Sequence, residues 1–193
     1  MPRAQACDII IDMKPTFGHC GLVTGNWRNP NVTAGLPTGQ EVVEATNAGI
    51  VEGSWTSGRA FCFRANTLNR TDAEAVQRVA LEIKGAAQYG ATRAVFKSWS
   101  GTSSFGTGAL GRLRKYQTRT GTHQGVPKNV YCSELVVLAY QLGLAVDQQH
   151  AAWIALDGKH TLPSTLKTWL TRNATRWTCV GVITGPDLEL TAI

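Results

Sequence analysis

The sequence is short of charge and has no long hydrophobic run. Asp, Glu, Lys and Arg make up 17% of its 193 residues, below the roughly 25% of ordinary soluble domains. Hydrophobic residues reach 43%. That balance excludes a charge-driven disordered polymer and supplies a core for one domain spanning residues 1–193. The longest apolar stretch free of charge, Leu135 to Val146, has twelve residues, whereas a membrane-spanning helix takes about 20. The start, MPRAQACDIIIDMK, sets Asp8, Asp12 and Lys14 around one short apolar run, unlike a secretory signal. Twenty glycines and seven prolines follow no Gly-X-Y period, so they mark turns rather than a fibre. A transmembrane protein, a Sec-exported protein and a fibrous protein are not expected.

None of the five cysteines (Cys7, Cys20, Cys62, Cys132 and Cys179) forms a Cys-x-x-Cys pair, and the count is odd. A disulfide framework and a structural zinc site are disfavoured, and a reducing compartment fits. No cofactor and no metal are expected. Acidic residues are missing between Glu82 and Glu134, where Lys84, Arg93, Lys97, Arg112, Arg114, Lys115, Arg119 and Lys128 all fall. A one-sign segment of this length suggests an anionic partner, and a solvated surface is the plainer alternative.

Short apolar runs at Ile9–Ile11, Leu22–Val23, Val42–Ala45, Ile50–Val51 and Ala60–Arg64 are separated by Asn-Pro, Pro-Thr-Gly and Asn-Ala-Gly. They predict an antiparallel meander. Thr71 with Glu74 reads as a capping box, and apolar residues then recur at helical spacing up to a stop at Gly90. Ser98 to Gly111 reads as a long loop by composition. A buried helix starts near Ser133 and ends at Gly143, a short one spans 163–172, and a last strand covers Cys179–Thr184. The plan is α+β with segregated layers.

Cys132, in NVYCSELVVLAY, sits where a polar loop meets the buried helix. The positive end of a helix favours thiolate over thiol, and its unpaired N–H groups can receive an oxyanion. The plainer alternative is a small buried hydrophobe. His19 opens the strand HCGLVTG, sharing a face with Gly21, which leaves room beside the imidazole. Such a pair suits thiol activation. His123 is the second choice of base, nine residues before Cys132. Glu44, in EVVEAT, can orient His19 if the two strands pair through a loop from about Gly25 to Gly39; Glu41, Glu52 and Asn47 are rivals.

FGHCGLVTG, EVVEAT, AFCFR, AAQYG, VYCSELVVLAY and LPSTL, in that order, resemble the permuted NlpC-type papain-like cysteine hydrolases, close to the YiiX/YebB-like group. The His strand precedes the Cys helix, as in the permuted branch that also holds lecithin:retinol acyltransferase-like proteins. The resemblance runs from about Asp8 to Ile183. It implies a papain-like antiparallel sheet packed against helices, with Cys132 as nucleophile, His19 as base and Glu44 as orienting residue. Tyr131 and Ser133 would neighbour the oxyanion. Cys20 departs from the pattern, since a β-branched aliphatic residue is commoner after the His.

Three functions follow. The first is a thiol hydrolase, an amidase or endopeptidase, cutting peptide bonds of bacterial peptidoglycan stems. Arg112, Arg114 and Lys115 would hold the stem carboxylates. Without a signal, such an enzyme would leave by a Sec-independent route, as an antibacterial effector acting in a target cell's periplasm and countered by a cognate immunity protein. The second is a lipid-directed acyltransferase or acyl hydrolase, for which Trp99 and Phe105 hint at membrane contact. The third is a non-catalytic basic binding module. No nucleic-acid motif is present, so nucleic acid is not expected as a partner.

Overall fold

In the computed structural model, residues 2–12, 14, 18–26, 36–89, 102–118 and 129–192 are described. The strands are β1 (Ile9–Asp12), β2 (Cys20–Gly25), β3 (Gly39–Thr46), β4 (Gly49–Gly53), β5 (Ala60–Ala65), β6 (Gln88–Tyr89), β7 (Asn129–Val130), β8 (Trp177–Ile183) and β9 (Leu190–Thr191). The helices are α1 (Arg70–Ala86), α2 (Thr107–Gln117), α3 (Cys132–Gly143) and α4 (Pro163–Arg172), with a short 3₁₀ turn at Gly158–His160. Seven strands form an antiparallel sheet in the order β4-β3-β2-β1-β5-β8-β9, and β6 pairs with β7 in parallel. The protein is α+β, as its sequence pattern predicts. Among the described residues, no helix is long and apolar enough to cross a membrane.

β1 and β2 are buried along their whole length. Strand side chains alternate between faces. Ile9, Ile11, Cys20, Leu22, Val43 and Ala45 therefore turn to one core with α1 and α3, while Ile10, Val23, Val42 and Cys62 turn to a second core with Trp55 and Leu188. Helix α3 runs through the first core, with every residue from Cys132 to Leu142 buried. Gly143 ends it against α1, because a Cβ there would lie 2.6 Å from the Val76 Cα. Two polar clasps fix the layers. The Gln77 side chain accepts from the Gly25 N–H at 2.9 Å and donates to its carbonyl at 3.1 Å. The Tyr140 hydroxyl donates to the Cys7 carbonyl at 2.6 Å.

Three expectations need correction. The N-cap of α1 is Asn69, whose side chain accepts from the Asp72 N–H at 2.9 Å; Thr71 lies inside the helix, and Glu74 pairs with Arg70. The helix stops at Ala86, before Gly90, which lies outside the described residues. The stretch read as loop up to Gly111 enters α2 at Thr107, despite Gly108 and Gly111. Its buried Ala109 and Leu113 supply the tertiary packing that outweighs weak propensity.

Candidate active site

Three elements bring three side chains together. β2 and β3 pair antiparallel with Gly21 opposite Glu44, so Glu44 stands beside the entry to β2. His19 is held there by its backbone: its N–H donates to Asp12 Oδ1 at 2.9 Å, and its carbonyl accepts from the Asp12 N–H at 2.8 Å. The His19 Nε2 lies 2.5 Å from Glu44 Oε2. That contact leaves Nδ1 as the ring nitrogen to serve the thiol. On the other core face, α3 begins with Cys132 and packs against β2.

The Cys20 thiol and the His19 ring are the two side chains that act on the Cys132 sulfur to favour its thiolate. The bond from the Cys20 side chain does most to lower the Cys132 pKa. It acts against burial and with the hydrogen bond and charge of His19, and the thiol falls to about 5. Burial alone would lower the pKa of His19. Hydrogen bonds to Cys132 and Glu44, with the negative charge of both, reverse that and raise it to about 10. Between these values the pair is thiolate and imidazolium. The Cys20 thiol moves the opposite way: burial first, then its bond to Cys132, holds it protonated as a donor.

Trp55 is part of the site, although no motif or spacing in the sequence singles it out. Its indole stacks on the His19 ring, with centroids 5.4 Å apart and planes 10° from parallel. The indole N–H donates to the Gly58 carbonyl at 2.8 Å, so the stacking face is itself fixed. In the sequence Cys20 stands out only as a departure from the family pattern. Its position on the α3-facing side of β2 gives it a role.

Tyr131 and Ser133 flank Cys132 but turn their hydroxyls away from it. Tyr131 donates to the Gly158 carbonyl at 2.7 Å and Ser133 to the Thr161 carbonyl at 2.6 Å. They pin the start of α3 to the 158–161 segment. The first helical hydrogen bond of α3 runs from the Leu135 N–H to the Tyr131 carbonyl. The N–H groups of Cys132, Ser133 and Glu134 therefore have no acceptor within the helix. The start of the helix thus places backbone N–H groups beside Cys132, while the Tyr131 hydroxyl is engaged elsewhere.

The rivals of Glu44 are elsewhere. Glu41 is exposed, Asn47 is exposed in the β3–β4 turn, and Glu52 pairs with Lys84 at 2.8 Å. His150 pairs with Asp72, and His160 lies 4.0 Å from Asp157. His123, the second choice of base, lies outside the described residues, as do Arg93, Lys97, Arg119 and Lys128. The expected substrate cations sit on α2. Arg112 is committed to Asp157 at 2.5 Å, whereas Arg114 and Lys115 are exposed. Trp99 is also outside the described residues, and Phe105 packs edge-on against Trp153 with centroids 5.3 Å apart. Among the described residues, no group of three or more His, Cys, Asp or Glu is arranged to hold a metal ion.

No family model, no curated protein and no solved structure matches this chain.

Proposed function

We propose that the protein is a cysteine hydrolase of the papain-like, circularly permuted NlpC type, acting on peptide amide bonds. One observation carries the reading: a single imidazole is hydrogen-bonded to a buried carboxylate, and that imidazole and a thiol at a helix N-terminus shift each other's pKa towards the ion pair. A histidine satisfied for structure alone needs no such thiol. A small buried cysteine in a core needs no such imidazole.

In this reading the Cys132 thiolate attacks the carbonyl carbon. The oxygen gathers negative charge and is received by N–H groups of the first turn of α3. The His19 imidazolium gives its proton to the departing amine, the C–N bond breaks and a thioester remains on Cys132. Neutral His19 then takes a proton from water as it attacks the thioester. The C–S bond breaks, the acid leaves, and thiolate and imidazolium are restored. Glu44 keeps the ring in place and steadies its positive charge. Trp55 fixes the plane of the ring from one side.

Peptidoglycan stem peptides are the substrate class that best joins amide chemistry to a basic chain, and an exported antibacterial effector is the corresponding biological role. The test is mass spectrometry of purified peptidoglycan fragments before and after incubation with the protein and with Cys132→Ala. New stem-peptide products made only by the unaltered protein support the reading. Intact fragments under conditions where Cys132 is demonstrably thiolate count against this substrate.

A further inference from the structure

A cavity of about 250 Å³ opens beside the His19 end of β2. Its walls are Asp12 at the end of β1, Lys14, Gly18, and Ser164, Lys167 and Thr168 on the first turns of α4. The base is one residue away. Gly18 precedes His19 directly, and Asp12 grips the His19 backbone through the two hydrogen bonds already described. Gly18 also closes onto α4: its φ is +63°, and a Cβ there would lie 3.2 Å from the Pro163 Cβ.

The lining carries a net positive charge. Its charged residues are Lys14, Lys167 and Asp12, and Asp12 Oδ1 already accepts from the His19 N–H. Lys167 is directed, with its Nζ 4.0 Å from the centroid of the Phe61 ring. Helix α4 has ten residues and Pro163 in its first turn. Its first internal bond is from the Leu166 N–H to the Leu162 carbonyl, so the Ser164 and Thr165 N–H groups have no acceptor within the helix. The positive end of that helix therefore adds to the field of the lysines. The volume suits one residue-sized group rather than a whole drug-sized ligand, which takes at least about 300 Å³.

We propose that this cavity is an anion subsite of the hydrolase, in which Lys14 and Lys167 receive a substrate carboxylate next to the scissile amide. The inference rests on the hydrolase reading and names the cations that select its substrate. It moves that role from Arg112, Arg114 and Lys115 on α2 to two lysines far apart in sequence.

The test separates binding from cleavage. Calorimetry on the Cys132→Ala protein at low salt compares acetyl-Ala-Glu-amide with its neutral counterpart acetyl-Ala-Gln-amide. The acidic peptide is expected to bind about tenfold more tightly, a difference of about 1.4 kcal/mol. In a Lys14→Gln/Lys167→Gln background that margin is expected to vanish, while Arg114→Gln/Lys115→Gln leaves it in place. A thermal melt of each variant confirms folding. Equal affinity for the two peptides, no binding of the acidic one at millimolar concentration, or a margin untouched by the lysine changes would overturn the subsite. If the unaltered protein cleaves stem peptides but the margin ignores the lysines, the subsite fails and the hydrolase stands. If the margin follows the lysines but no amide is ever cleaved, the hydrolase reading fails and an anion site remains.

Discussion

Gly21 stands opposite Glu44 across the β2–β3 ladder, and its missing side chain is what lets β3 lie close enough for Glu44 to reach His19. A Cβ on residue 21 would lie 2.4 Å from Val42 Cγ1 and 3.4 Å from Glu44 Cβ. Gly21→Ala is therefore expected to push β3 outward, costing about 1–3 kcal/mol of stability. Turnover should fall further than stability alone explains, because Glu44 is displaced from the imidazole. Denaturant melts and turnover measured on the same preparation check this.

Cys132→Ala should abolish turnover and leave a folded protein, since a small residue still fits the start of α3. It also removes one of the two groups that hold His19 above its usual range. The His19 titration, followed by NMR, should therefore move down in this variant. An unchanged His19 pKa would mean that the thiol and the imidazole do not interact.

Cys132 should be the first thiol alkylated by a substoichiometric dose of iodoacetamide. Burial pushes Cys7, Cys20, Cys62 and Cys179 upward, so each is chiefly protonated at neutral pH. Cys20→Ala removes the strongest of the contacts that favour the Cys132 thiolate. The midpoint of the alkylation rate against pH should then shift upward from about 5. A variant with merely looser packing would not produce that shift in a fixed direction.

The pH profile of kcat/KM should show a broad plateau. As pH falls through about 5, Cys132 gains a proton and the nucleophile is lost. As pH rises through about 10, the imidazolium loses the proton that the leaving amine needs. Activity should therefore decline on both sides. A narrow optimum near pH 7 would contradict the ion pair.

Replacing His19 with Ala removes the proton carrier and should lower turnover by about 10²–10⁴-fold. Glu44→Gln should cost less, because Glu44 orients the ring without moving a proton. Glu52→Gln loses only a partly exposed pair with Lys84, worth about 0–1 kcal/mol of stability, and should leave turnover alone. A crippled Glu52→Gln enzyme would show that the carboxylate has been misassigned.

The features read correctly from the sequence are those with local signals. Short apolar runs between turn residues mark the strands, and the apolar face from Leu135 to Leu142 marks α3. A polar loop running into that helix singled out Cys132. The features missed depend on tertiary contact. α2 carries glycine at 108 and 111, and only packing of Ala109 and Leu113 makes it a helix. Asn69 takes the cap that Thr71 also promised, a difference of two residues that composition cannot resolve. Trp55 joins the site through a stacking contact with no sequence period. Counting cations along the chain pointed to α2, but Arg112 turned out to be held by Asp157.

Helix α3 is buried along its length from Cys132 to Leu142, and this governs how the protein should lose function. Most helix ends fray well below the melting temperature, but this one is clasped by Tyr131 and Ser133. The amide hydrogens of its middle turns should be among the slowest to exchange with solvent, opening only when the whole sheet does. Heat inactivation and global unfolding should then trace a single curve, with no folded but inactive stage between them.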